Sequence, residues 1–291
     1  MKIVIIGAGG RLGAALLRAY GEGTNEVSGF TRAQLDLTDS ERLHEALDPL
    51  EFDFVINCAA LTNVDACEKY PAEATRVNAE APEVLAQICQ QKKARLIHIS
   101  TDYVFDGAKG RPYREEDAAQ PISVYGKSKL EGEHRVLAVS ENHLVVRVSW
   151  VFGPDRPSFV DWVINQAREH ETVSAVADKF STPSYTLDLA EMLQPLFELP
   201  SAHGTIHLTN TGECSWCEYG QWALDCCQAE DVPLRARSVN PIMLSDMKNF
   251  VARRPPYTVL STAKYEELTH RTPRDWHDAV ADYVTRFYAK V

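Results

Sequence analysis

The 291-residue chain has no apolar stretch of 18 residues, so no membrane-spanning helix is expected. Positive charge is the scarcer sign, with 30 Lys and Arg against 41 Asp and Glu and a net charge of −11. A broad basic face for nucleic acid is therefore not expected. An anionic ligand would have to be met by a few local cations. No basic n-region and apolar h-region precede the first strand, so no signal peptide is expected. Tandem repeats and low-complexity tracts are also missing. Cysteine is present without a framework: positions 58, 67, 89, 214, 217, 226 and 227 make an odd set of seven in a long chain. That pattern fits reduced thiols in a cytoplasmic protein. Cys214 and Cys217 have the spacing of a metal or redox pair, but no second such pair or suitably spaced His pair follows. Ser215 and Glu218 instead form a capping box, which places Cys217 in the first turn of a helix. No metal is expected.

What the chain does have is a hydrophobic content of 45%, enough for a sizeable core. Apolar runs at Lys2–Ile6, Glu26–Phe30, 52–57, 94–100 and 143–150 read as five strands. Helical patterns lie between them at 11–20, 40–47, 71–91 and 125–139. Continuous Val/Ile/Leu strands separated by helices predict an α/β fold, a doubly wound parallel sheet covered on both faces. After Trp150 the pattern changes. Gly153 to Pro157 is a loop, 159–170, 187–199 and 215–228 read as helices, and 172–177 and 205–209 as short strands. Residues 231–275 look loop-rich, and an amphipathic helix closes the chain from about Pro273. The expected organisation is a dinucleotide-binding domain over 1–150, rejoined by about 185–210, and a smaller, mainly substrate-binding domain over 151–291.

The first strand runs into Gly7-Ala-Gly9-Gly10-Arg11-Leu12-Gly13, a glycine turn that opens a helix. Such a turn lets the backbone approach a pyrophosphate, and the helix N-terminus offers it free N–H groups. At the end of the second strand an NAD site usually carries an acidic residue for the ribose 2′-hydroxyl. This chain has Arg32, which suits a 2′-phosphate, so NADPH is expected over NADH. Asp36 and Leu37 follow and are placed beside the adenine. Cys58, Ala59 and Ala60, after the third strand, supply small side chains where backbone passes close to a cofactor.

Tyr125 and Lys129 share one helix face. A phenol with a pKa near 10 is a poor acid or base at neutral pH, and a nearby ammonium would lower that pKa and could also bond the nicotinamide ribose. Thr101, at the end of an apolar run, can offer its hydroxyl to a substrate carbonyl. Together the three suggest a ketone reductase in which Tyr125 protonates the oxygen.

Several longer stretches carry a resemblance: Asn57-Cys-Ala-Ala60, Thr62-Asn-Val-Asp65, Ser100-Thr-Asp-Tyr-Val-Phe-Asp-Gly107, Tyr125-Gly-Lys-Ser-Lys129, Ser149-Trp-Val-Phe152 and Arg254-Pro255. Over nearly its whole length the chain resembles an extended short-chain dehydrogenase/reductase of the Rossmann type, and closely the dTDP-4-dehydrorhamnose reductases. The resemblance implies NAD(P)H-dependent reduction of the C4 ketone of dTDP-4-dehydro-L-rhamnose. It gives Thr101, Tyr125 and Lys129 the roles above, and it implies substrate contacts from Thr62, Asp102, Tyr103, Trp150 and Arg254. Members that dimerise through magnesium carry a glutamate where this chain has Ala15, so any homodimer is expected without a magnesium bridge. The family's Asp-Gln-x-Gly-x-Pro-Thr appears as Asp178-Lys179-Phe-Ser181-Thr-Pro-Ser184, and its Arg-Pro-x-x-Ser-x-Leu has Thr258 for the Ser. Arg156, Lys179, Arg253 and Arg254 are candidates to pair with the substrate diphosphate. Two other readings remain: a catalytically idle NADP-binding regulator like the methionine adenosyltransferase regulatory subunit, and a sugar-nucleotide epimerase that keeps its NAD.

Overall fold

The computed structural model describes residues 1–289. Six parallel strands form the central sheet: β1 (Lys2–Ile6), β2 (Glu26–Phe30), β3 (Phe54–Asn57), β4 (Arg95–Thr101), β5 (Leu144–Val148) and the strand Gly204–His207. Their spatial order is Gly204–His207, β5, β4, β3, β1, β2. The chain builds outward from β1 in one direction and then, from β3, in the other. The order therefore reverses between β1 and β3, where ligands bind in such sheets.

Side-chain alternation along β1 explains why both faces are covered. Ile3 and Ile5 pack with Leu12, Leu16 and Tyr20 of α1 (Arg11–Gly21) and with Leu189, Leu193 and Phe197 of a later helix, Thr186–Glu198. Val4 and Ile6 pack on the opposite face with Leu43 and Leu47 of α2 (Ser40–Leu47). Leu85 and Ile88 from the helix Ala81–Gln91 join that second layer, as does Val136 from the helix Val124–Val139. The inner strands thus meet helices on both faces, which is why they read as unbroken apolar runs.

The remaining helices of the first half are α3 (Val64–Lys69), α4 (Pro71–Thr75), α5 (Ala81–Gln91) and α6 (Val124–Val139). The short helix α3 lies in a stretch with no helical reading above; it starts where the Asn63 side chain accepts the Ala66 N–H. Between α4 and α5, Arg76–Glu80 widens into a π-turn. In the second half, α7 (Phe159–Glu169), the helix Trp216–Ala229 and the helix Trp276–Phe287 enclose their own aromatic core around Phe152, Tyr185, Tyr219 and Tyr283. The stretch read as loop-rich holds more structure than expected. Val239–Ile242 pairs with Val173–Val176, and Ala263–Thr269 is a helix. Among the described residues no helix is long and apolar enough to cross a membrane.

Candidate active site

The glycine turn is shaped by backbone crowding. Gly7 has φ +81°, and a Cβ there would lie 2.7 Å from the Ala59 nitrogen. A Cβ on Gly13 would stand 2.3 Å from the Gly7 carbonyl oxygen. Glycine at both positions lets the turn fold back on itself and lets α1 start against the end of β3. The N–H groups in the first turn of α1 have no carbonyl within their own helix to serve and point out of the switch point. An anionic diphosphate fits this cradle. Gly13→Ala is expected to lower the urea midpoint by an amount worth about 1–3 kcal/mol and to weaken dinucleotide binding; an unchanged midpoint would refute the crowding argument.

Arg11, expected to serve the cofactor, sends its side chain elsewhere. Its guanidinium donates to the carbonyl oxygens of Val151, Arg156 and Pro157. Only its main chain remains at the cradle. Arg18 clasps Asp155 through two hydrogen bonds of 2.7 and 2.9 Å. Arg156 then donates from Nε to the Gly9 carbonyl at 2.5 Å. The loop from Val151 to Pro157 is thus strapped across the glycine turn. Arg156, a candidate for the substrate diphosphate, sits at the dinucleotide end instead. Arg32 is exposed beyond β2. Nearby, Asp36 is held below the ordinary carboxylate range by hydrogen bonds from the Thr38 N–H and hydroxyl. Leu37 is buried beneath them. Cys58, Ala59 and Ala60 line the opposite rim, at the end of β3.

Thr101 ends β4, and Tyr125 and Lys129 occupy the first two turns of α6. Ser123 caps that helix by accepting the Gly126 N–H. A Cβ on Gly126 would lie 2.2 Å from the Tyr103 carbonyl, and one on Gly132 2.1 Å from the Asn78 carbonyl. The two glycines bring α6 close to the site. The Tyr125 hydroxyl lies near enough to Thr101 for that side chain to lower its pKa. Thr101 donates to Asp102 at 3.0 Å and accepts the Tyr103 N–H. Burial raises the Tyr125 pKa, and Thr101 only partly opposes that. The sequence argument expected Lys129 to lower it. In this structure Lys129 is fully buried, and its Nζ is engaged by the Ile99 carbonyl at 2.7 Å and His98 Nε2 at 3.1 Å. One turn further along α6, Glu133 is gripped by Arg147 of β5 and accepts the Ser100 hydroxyl, which ties the helix to the sheet.

The expected substrate residues separate into two groups. Asp102, Tyr103 and Trp150 surround the catalytic end. The Tyr103 ring meets Tyr125 edge-on at 5.7 Å. Trp150 adopts φ +40°, an uncommon conformation for a large side chain, and stacks on Tyr219. Lys179, another of the diphosphate candidates, is wholly buried instead, 5.0 Å from the Tyr103 ring and 5.7 Å from the Trp150 ring, donating to the Pro255 carbonyl. Asp102 accepts from Ser181 and Thr258 as well as Thr101. Burial raises its pKa, and burial lowers that of Lys179 to about 8. Arg254 and Thr62 form the second group. The Arg254 guanidinium is taken by Asp65 at 2.8 and 3.0 Å, and Asp65 also accepts the Val251 and Ala252 N–H groups. Arg254 therefore fastens the 251–260 segment to α3, a structural use of the side chain that the sequence reading missed. Thr62 is exposed just before α3. Asn57 and His98 went unassigned; a histidine inside an apolar strand was the signal available for the second. Among the described residues no cluster of His, Cys, Asp and Glu could hold a metal.

The family described as RmlD substrate binding domain matches residues 1–289. The chain is 32% identical to a dTDP-4-dehydrorhamnose reductase of Aggregatibacter actinomycetemcomitans, covering 99% of each. It is 33% identical to a probable dTDP-4,6-dihydroxy-2-methyloxan-3-one 4-ketoreductase of Streptomyces antibioticus, covering 97% of this chain and 94% of that one. A crystal structure of dTDP-4-dehydrorhamnose reductase from Bacillus anthracis in complex with NADP superposes with a TM-score of 0.92 at 29% identity, over 98% of this chain and 99% of that one.

Proposed function

Because the chain belongs to the RmlD substrate binding domain family, we propose that it reduces the C4 ketone of a nucleotide-linked 4-keto-6-deoxy sugar with NADPH, the substrate being dTDP-4-dehydro-L-rhamnose. One observation carries the reading. Thr101 at the end of β4 and Tyr125 and Lys129 in the first turns of α6 lie at the carboxyl end of the sheet, one strand beyond the reversal between β1 and β3. When bound, the cofactor supplies a hydride to the carbonyl carbon. Tyr125 gives its hydroxyl proton to the carbonyl oxygen, and Thr101 orients that oxygen by hydrogen bonding. Lys129 would hold the nicotinamide ribose. Burial keeps Tyr125 protonated at neutral pH, the form a proton donor needs.

Three of this chain's departures from the family's motifs cluster. Lys179, Ser181 and Thr258 all act on Asp102, and Asp102 holds Thr101. They adjust how the carbonyl partner is held, and the hydride-transfer chemistry itself does not depend on them. The test is NADPH oxidation against a panel of dTDP-, UDP- and GDP-linked 4-keto-6-deoxy sugars. The dTDP-4-dehydro-L-rhamnose member should turn over fastest. Absence of net NADPH oxidation with every sugar would sink the reading and favour an epimerase or an idle regulator. Arg32, assigned to the 2′-phosphate, gives a second test. Arg32→Ala should weaken NADPH about 10- to 100-fold and leave NADH binding unchanged; equal weakening of both would remove that assignment.

A further inference from the structure

A buried chain of hydrogen bonds runs from the end of β3 through β4 to α6. The Asn57 Oδ1 accepts the Ala59 N–H at 3.1 Å, which fixes the orientation of the amide. Its Nδ2 then faces His98 Nδ1 at 3.2 Å. An amide nitrogen only donates, so Nδ1 must accept. The ring is neutral, because burial, the chief influence on it, holds its pKa well below the ordinary value. A neutral imidazole that accepts at Nδ1 carries its proton on Nε2. That N–H points at Lys129 Nζ, 3.1 Å away. An ammonium has three donors and no lone pair, so it would meet this N–H donor to donor. An uncharged amine fits: its lone pair accepts from His98, and one of its own hydrogens goes to the Ile99 carbonyl.

The other groups reaching Lys129 do not reverse this. Glu133, on the same helix, favours the ammonium, but its carboxylate is paired with Arg147 and Ser100. Cys58, from the end of β3, is a neutral thiol, its pKa pushed up to about 12 by burial.

We propose that Asn57 and His98 are positioning residues that, in mildly alkaline solution, hold Lys129 as an uncharged amine before the cofactor arrives, so that cofactor binding there draws one proton from solvent onto Nζ. This rests on the reading that places Lys129 at the nicotinamide ribose. The step balances simply: Nζ gives up the His98 contact, its lone pair takes H⁺, and the new ammonium faces the ribose and Tyr125. The Lys129 pKa, lowered to about 8 by burial, sets the window. Below that pH the lysine is already protonated and binding takes up little. Above it the free protein holds the amine and binding must take up a proton, so NADPH affinity falls as pH rises.

Two measurements on the full-length protein test this. ¹⁵N-histidine NMR of the cofactor-free protein should show His98 protonated at Nε2 and accepting at Nδ1. Calorimetry of NADPH binding in buffers of different ionisation enthalpy should give uptake approaching about one proton at about pH 9, and little at about pH 6.5. Lys179 also titrates near 8, so Lys129→Met is the control, and it should abolish the uptake. His98→Gln, which keeps a donor near the Nε2 position, should preserve it; His98→Asn should reduce it by more than about half. A His98 protonated at Nδ1, or NADPH binding without uptake at the higher pH, overturns the proposal. Failure of NADPH to bind, with the His98 tautomer as expected, would instead overturn the cofactor reading and support the protonation states assigned here.

Discussion

Tyr125→Phe should lower kcat and kcat/KM together by about 10³-fold while NADPH binding stays unchanged. The ring is packed against Tyr103 and lies in a small apolar cluster with Cys67 and Ala74, so phenylalanine fills the same space. What disappears is one hydroxyl, the group that meets Thr101 and, in the proposed reaction, the substrate oxygen. An interaction made only in the transition state shows as an equal fall in both constants. A rise in KM alone would make Tyr125 a binding residue, and full activity would end the proton-donor assignment. Circular dichroism and NADPH titration on the same preparation separate loss of chemistry from loss of fold.

Arg147→Met is expected to carry the largest stability cost of any single change considered, about 3–5 kcal/mol. Arg147 and Glu133 are both nearly inaccessible, and two of the bonds between them are 2.6 and 3.0 Å. Removing the arginine leaves a buried carboxylate whose one remaining hydrogen-bond donor is the Ser100 hydroxyl. Removing both charges in Arg147→Met/Glu133→Gln should cost less than the arginine change alone, because no unpaired charge remains. Urea unfolding followed by tryptophan fluorescence measures both. If the double variant is the less stable, direct packing of these two side chains matters more than charge compensation. The pair lies one turn from Lys129, so the arginine variant should lose activity before it unfolds globally.

Local patterns were legible in the sequence. The glycine turn, the apolar strands and the spacing of Tyr125 and Lys129 are each written within a few consecutive residues, and they led to the doubly wound parallel sheet. The capping box at Ser215 and Glu218 was readable for the same reason. Pairings across long stretches of chain were not. Nothing near Arg254 announces that Asp65, 189 residues away, takes its guanidinium. Lys179 reads as a candidate for the substrate diphosphate until the fold buries it against two rings. Helix α3 was missed because six residues bounded by an Asn cap and a proline are too short for periodicity to register. The direction of the Tyr125 shift was misjudged because burial, which outweighs the other influences on that phenol, is a property of the assembled fold.

The helix Thr186–Glu198 closes one side of the central sheet, and the strand Gly204–His207 completes its edge beside β5. This has a consequence for the chain while it is being made. When residue 150 leaves the ribosome, Leu12, Leu16 and Tyr20 of α1 and the sheet face behind them still lack Leu189, Leu193 and Phe197. The nascent nucleotide-binding half exposes that apolar surface until more than fifty further residues have been added, a delay of seconds at ordinary rates of about 5–20 residues per second. A stalled or truncated product ending near Trp150 would carry the glycine turn and the catalytic pair on an unsealed sheet, and would be a client for chaperones rather than a small working enzyme.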